Sequence, residues 1–180
     1  AKVLADFVLV KDKEVTDEQI AAIQKADNNA RAEEKALHFL GYQPRSKKEL
    51  KTYLKGQEID PETIEQVCEN LAELGYLDDV EYAKLFTRNN MQVGHEGPRS
   101  VVGKLIQKGI EKETAEQVVA EVDPDFWVEL ATKLAQPMQK KAGRLSQKEI
   151  KTKIRQKLFQ HGFNSIQIDD VLDELEFEDD

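Results

Sequence analysis

The apolar residues of this chain fall on helical stripes that come three times over. Leu50 and Leu54 are followed by Ile64, Val67 and Leu71, Val101 and Leu105 by Ala115, Val118 and Val122, and Ile154 and Leu158 by Ile168, Val171 and Leu175. Spacings of three and four residues put each set on one face of an α-helix, with polar side chains on the other. The strings Leu54-Lys55-Gly56-Gln57-Glu58-Ile59, Leu105-Ile106-Gln107-Lys108-Gly109-Ile110 and Leu158-Phe159-Gln160-His161-Gly162-Phe163 run in parallel, 51 and then 53 residues apart. A period of that length marks an array of small units that stack on their neighbours. Such arrays work through an extended face rather than a pocket.

Start and stop signals divide the stripes into helices. Thr16 to Gln19, Ser46 to Glu49 and Ser146 to Glu149 have the spacing of a capping box. Asp60-Pro61 and Asp123-Pro124 place an acidic N-cap before a proline at the first helical position, and Gly97-Pro98 does likewise. The glycines before Ile110 and Phe163 close a helix, Gly75 ends another, and Asp78 caps the next. Each repeat therefore reads as three helices: 31–40, 47–55 and 61–74, then 79–90, 98–108 and 112–122, then 124–141, 147–160 and 165–176. The expected organisation is an N-terminal extension over 1–30 with one helix at about 16–28, repeats over 31–78 and 79–123, and a third repeat with an acidic tail over 124–180. Pairing Ser46 with Ser146 gives an offset four residues shorter than pairing Leu54 with Leu158. Four residues are one helical turn, so the second helix of the last repeat is expected to be one turn longer. Lys2–Val10 reads as a helix end or a strand.

Composition narrows the partner. A charged fraction of 34% and a longest apolar run of Phe7–Val10 leave no segment of the roughly 20 residues that span a bilayer. Ala1–Val10 lacks the pattern of a secretory signal. Cys68 is the single cysteine and cannot form an intramolecular disulfide, so a cytoplasmic protein with a buried thiol is expected. The net charge is −9, but nine bases and one acid lie between Ala131 and His161, while Asp169–Asp180 holds acids alone. These charges are either solvated faces of separate helices or a basic face for an anionic partner, with an acidic end that could oppose it or dock elsewhere.

No catalytic constellation is visible. His38, His95 and His161 are scattered, and Gly94-His95-Glu96-Gly97 is too short for a phosphate-cradling loop. No enzyme, metal or cofactor is expected. The second helix of every repeat is basic: Lys47, Lys51 and Lys55, then Arg99, Lys104 and Lys108, then Lys148, Lys151 and Arg155. These are the candidate partner-facing residues, able to track phosphates or meet an acidic protein. Tyr42, Tyr53, Phe126 and Trp127 are the aromatics available for base stacking, which is sparse for a single-strand binder.

The string Leu74–Asp79, followed by Tyr82-Ala83, Arg88, Gly97-Pro98-Arg99 and the Leu105–Ile110 element, resembles the RecX family of recombination regulators. The resemblance covers about Arg31 to Leu175. It implies an all-α fold, an elongated curved array of three tandem three-helix repeats behind a short N-terminal extension. It also implies binding to the RecA recombinase and to the RecA–single-stranded DNA filament, with modulation, mostly inhibition, of its recombinase, ATPase and co-protease activities in DNA repair and the SOS response. Gly75, Asp78, Asp79, Tyr82 and Arg88 match family positions and read as structural. The acidic total favours protein contact over tight DNA binding, and a monomer is expected. The alternative is a helical module that acts directly on DNA.

Overall fold

The structure, a computed structural model, describes residues 16–140 and 145–175. The order is α1 Asp17–Leu40, α2 Lys47–Gly56, α3 Pro61–Glu73, α4 Asp79–Val93, α5 Pro98–Gln107, α6 Lys112–Ala120, α7 Pro124–Lys140, α8 Gln147–Gln160 and α9 Ser165–Glu174, with no strand among the described residues. The fold is an all-α array of three-helix repeats. The expectations for Lys2–Val10, for residues 141–144 and for the tail beyond Leu175 lie outside the described residues.

Caps form where the sequence sets them. Thr16, Ser46 and Ser146 each close a capping box, and Asn164 adds one that the sequence reading did not include. The Asp60 carboxylate accepts the Thr63 N–H at 2.9 Å. That bond favours the charged form, so the carboxyl sits below the ordinary aspartate range. Glu149 is lowered in the same way by the Ser146 amide. One boundary differs from expectation. The helix predicted over 16–28 does not stop before a second helix at 31; α1 runs unbroken from Asp17 to Leu40. No glycine or proline interrupts Asp27-Asn28-Asn29-Ala30. Arg31 pairs with Asp27 one turn back at 2.8 Å, and the Asn29 amide donates to Gln66 Oε1 at 3.1 Å. Contacts to α3 thus outweigh the low helix propensity of Asn and Asp.

The chain divides into two compact units, the first ending at Asp79 and the second beginning at Val80. In the first, α1, α2 and α3 enclose Ala36, Leu50, Leu54, Val67, Cys68 and Leu71. Cys68 is fully buried, and desolvation pushes its thiol pKa up, which disfavours the reactive thiolate. The second unit holds the helices of the second and third repeats around one core that includes Leu105, Trp127, Ile154, Leu158 and Phe163.

The threefold string is a hydrogen-bonded helix stop. Leu54, Leu105 and Leu158 carbonyls accept the amides of Ile59, Ile110 and Phe163 at 3.4, 3.0 and 3.1 Å, and the amide just before each of these donors bonds the next carbonyl along, that of Lys55, Ile106 or Phe159. This double closure is the Schellman motif, which needs a left-handed residue. Gly109 and Gly162 supply it at φ 92° and 87°, whereas Glu58 is held there at φ 60° without a glycine. The Leu71-to-Tyr76 turn repeats the pattern with Gly75 at φ 76°. With the three stops as register marks, α8 has 14 residues and α2 has 10, the one-turn difference expected.

Candidate functional site

The candidate bases sit on or at the end of helices whose register leucines, Leu54, Leu105 and Leu158, are buried in a core. In α2, Leu50 and Leu54 are 0% exposed, which turns Lys51 and Lys55 away from the core. Lys51 leans onto α3 and donates to both Glu65 oxygens at 2.6 and 2.7 Å. That hydrogen bond holds the Glu65 carboxyl below the glutamate range. Lys47 is half-buried at the start of α2, where its backbone N–H donates to Asp79 Oδ1 at 2.9 Å. Lys55 is exposed. The three lysines therefore do not form one uniform solvated stripe: Lys51 is engaged with α3, and Lys47 is anchored through its backbone.

In the third repeat, Lys148, Lys151 and Arg155 are exposed. Arg155 donates to Asp169 Oδ1 of α9 at 2.6 Å. Lys51–Glu65 and Arg155–Asp169 share a separation of 14 residues and a position three before the register leucine. They are one interaction used twice.

The central helix departs from this plan. Counted from Leu105, the positions of Lys51 and Arg155 fall on Val102, and those of Lys55 and Phe159 on Ile106. Lys104 and Lys108 match Tyr53 and Gln57 in the first repeat and Lys157 and His161 in the third, and Arg99 matches Lys48 and Thr152, so the central candidates stand at other positions than Lys47, Lys51, Lys55, Lys148, Lys151 and Arg155. Arg99 lies roughly 140–180° round the helix from Lys104 and Lys108, at 100° per residue. It shares a face with Val102 and Ile106, and its guanidinium stacks 5.4 Å from the Phe159 ring centroid. Lys104 is ion-paired to Glu96 at 2.6 Å, Glu96 also accepts the Ser100 hydroxyl at 3.1 Å, and Lys108 is half-buried.

The motif residues have structural positions. Tyr82 is buried and stacks on Phe86 at 6.2 Å, Gly75 closes α3, Asp78 precedes α4, and Arg88 is exposed on α4. Asp79 bonds to the first amide of α2, which ties the Leu74–Asp79 string to the first basic helix. Trp127 is core at 3% exposure. Tyr53 stacks flat on Phe39 at 4.2 Å with Arg45 over the other ring at 4.6 Å, while Tyr42 stands 74% exposed. Among the described residues no group of His, Cys, Asp or Glu has metal-binding geometry, and no helix is long and apolar enough to cross a membrane.

One joint escaped sequence reasoning. The Gly97 N–H donates to His161 O at 2.8 Å, the Arg99 N–H donates to Gly162 O at 3.1 Å, and His161 Nδ1 lies 3.1 Å from His95 O. The start of α5 is thereby fastened, backbone to backbone, to the helix stop of the third repeat. A Cβ on Gly97 would stand 2.5 Å from Phe163 N, and one on Gly162 2.5 Å from Ser100 N. Gly97 is an N-cap without a side chain because a backbone occupies that space.

Comparison with known proteins is consistent with this architecture. Residues 32–71 match the family model for the first three-helix domain of RecX, and residues 78–119 that for the second. A regulatory protein RecX from Lactobacillus johnsonii is 42% identical over 98% of this chain and 65% of its own length. One from Listeria welshimeri is 36% identical over 91% of this chain and 61% of its own. The chain thus spans somewhat less than two thirds of the curated relatives it matches. A crystal structure of regulatory protein RecX superposes with a TM-score of 0.87 at 30% identity, covering 96% of this chain and 85% of that one. RecX from Lactobacillus salivarius gives 0.80 at 28% identity, covering 83% and 97%.

Proposed function

Because the chain belongs to the RecX family, we propose that it binds the RecA recombinase and the RecA–single-stranded DNA filament and lowers RecA's recombinase, ATPase and co-protease activities. The observation that carries the reading is the pair of matched RecX three-helix domains within a fold that superposes on solved RecX proteins. The protein acts as a regulator rather than a catalyst, in the cytoplasm and as a monomer, with its repeats at 31–78, 79–123 and 124–180 behind the 1–30 extension. Contact runs through the exposed bases of the second helices, with Lys55, Arg99 and Lys148 foremost. Lys47, Lys51, Lys104, Lys108, Lys151 and Arg155 assist. The ion pairs of Lys51, Lys104 and Arg155 are no barrier, since exposed pairs are worth about 0–1 kcal/mol.

Titration of the protein into RecA hydrolysing ATP on single-stranded DNA tests the reading. Inhibition at amounts well below one per RecA is expected, weakened at high salt and by Lys55→Glu, Arg99→Glu and Lys148→Glu combined. No inhibition by folded protein would refute it. Binding to DNA without RecA, equal to binding in its presence, would assign the chain to direct DNA contact instead.

A further inference from the structure

The second unit has an open apolar depression of about 760 Å³, walled by Pro98, Val102, Ile106, Val119, Trp127 and Ile166. Ile106 and Ile166 are 41% and 73% exposed. The depression exists because the central repeat lacks the ion pair that closes the same face in its neighbours: Val102 stands where Lys51 and Arg155 stand. Glu116, at the position of Glu65 and Asp169, pairs instead within its own helix, with Lys112 at 3.7 Å.

Two further features say what fits there. Gly103 lies inside α5 on this face, and a Cβ at that position would meet nothing within 4 Å. A glycine in a helix interior costs about 1 kcal/mol relative to alanine. No neighbour in the fold requires it. Its absent side chain leaves the α5 backbone open to close approach from outside, as small residues do where helices pack tightly. The second feature is charge. Glu116, Asp125 and Asp170 rim the depression against Arg99. It runs on, through Asp125, Val128 and Asp170, into a trough of about 780 Å³ that also holds Glu129, Asp173 and Glu174. The base there, Lys133, is paired to Glu129 at 2.6 Å.

We propose that this face docks an amphipathic helix of a protein partner, with apolar side chains seated against Val102, Gly103 and Ile106 and a basic flank along the Asp125–Asp170 trough. The charge complementarity selects a basic helix over an acidic one and steers its approach. The face shares Arg99 with the bases proposed to meet RecA but is otherwise built from other residues, and the inference does not rest on RecA as the partner.

Trp127 is the only tryptophan and, though 3% exposed, forms part of the wall of the depression, so its emission responds to a change in that wall on occupancy. The probe is a designed amphipathic helix of leucine and lysine, titrated into the full chain, with a leucine–glutamate counterpart as control. Expected are a saturable change in Trp127 emission, weakening with salt, and no response to the acidic peptide. Gly103→Leu fills the contact and favours the helix, and should weaken binding about tenfold or more while circular dichroism stays unchanged. Asp125→Lys with Asp170→Lys should do the same through charge alone. Equal affinity for both peptides, or binding unaltered by either variant, would overturn the proposal. So would sedimentation showing a dimer that Gly103→Leu dissolves, which would make the occupant a second copy of this chain.

Discussion

Gly97→Ala gives the most demanding check on the joint inside the second unit. The backbone at Gly97, φ −75° and ψ 168°, suits alanine, so the substitution carries no conformational strain. It should even gain about 0.4–1 kcal/mol by restricting the unfolded chain. Against that, the new Cβ would lie 2.5 Å from Phe163 N, 2.6 Å from Gly162 C and 2.7 Å from Gly162 O. Ordinary contact is near 3.5 Å, so the two backbones must part by about 1 Å. Neither can do so locally. Phe163 is 0% exposed, and its amide is bound to Leu158 O at 3.1 Å. A parting of about 1 Å stretches Gly97–His161 and Arg99–Gly162 beyond hydrogen-bonding distance. Two backbone bonds lost, with donors left partly buried, cost about 1–2 kcal/mol each. The net expectation is about 2–3 kcal/mol of lost stability. The assay is urea unfolding followed by Trp127 emission, which reports the second unit alone. Circular dichroism, followed in parallel, reports both units. Gly56→Ala serves as control, because its Cβ meets nothing within 4 Å, and should be neutral or mildly stabilising. A Trp127 transition in Gly97→Ala displaced by less than about 0.5 kcal/mol would refute the tight joint, since the loss would then be no larger than that of an ordinary surface substitution.

Glu58→Gly should stabilise the first unit by roughly 1 kcal/mol, because glycine adopts the φ of 60° without the Cβ penalty; the midpoint of thermal unfolding reads this. Leu105→Ala should cost about 2–5 kcal/mol in chemical denaturation, as its side chain is 0% exposed in the second core. Asp60→Ala should cost about 1 kcal/mol at neutral pH through loss of the α3 cap. In the parent protein Asp60, Glu65 and Glu149 are depressed on folding, so their contribution is present above the unfolded carboxylate range near about 4 and is lost as pH falls through the folded values. Melting temperature against pH should accordingly be level near neutrality and fall below about pH 4, less steeply in Asp60→Ala.

Most helices, most of their caps and the repeat were legible in local patterns of the sequence, the Asn164 cap and the continuity of α1 excepted. Apolar residues at helical spacing, Ser, Thr and Asp at N-caps, and glycine four residues past a leucine act within a few residues of one another. The one-turn excess of α8 over α2 was legible for the same reason. Even the break expected near residue 30 failed through tertiary contact, because Asn29 and Lys25 bond to α3 residues distant in the chain. Basic helices were equally legible; their partners were not. That Lys51 and Arg155 meet Glu65 and Asp169, that Lys104 meets Glu96, and that Arg99 stands apart over Phe159 depends on how neighbouring helices cross. Gly97 read as a weak N-cap from its neighbours alone. Only the tertiary structure set the backbone of His161–Phe163 against it, because two segments distant along the chain are brought together by packing. The apolar depression has the same origin. Val102, Ile106, Trp127 and Ile166 belong to separate helices, and no local pattern reveals which exposed apolar faces will lie side by side.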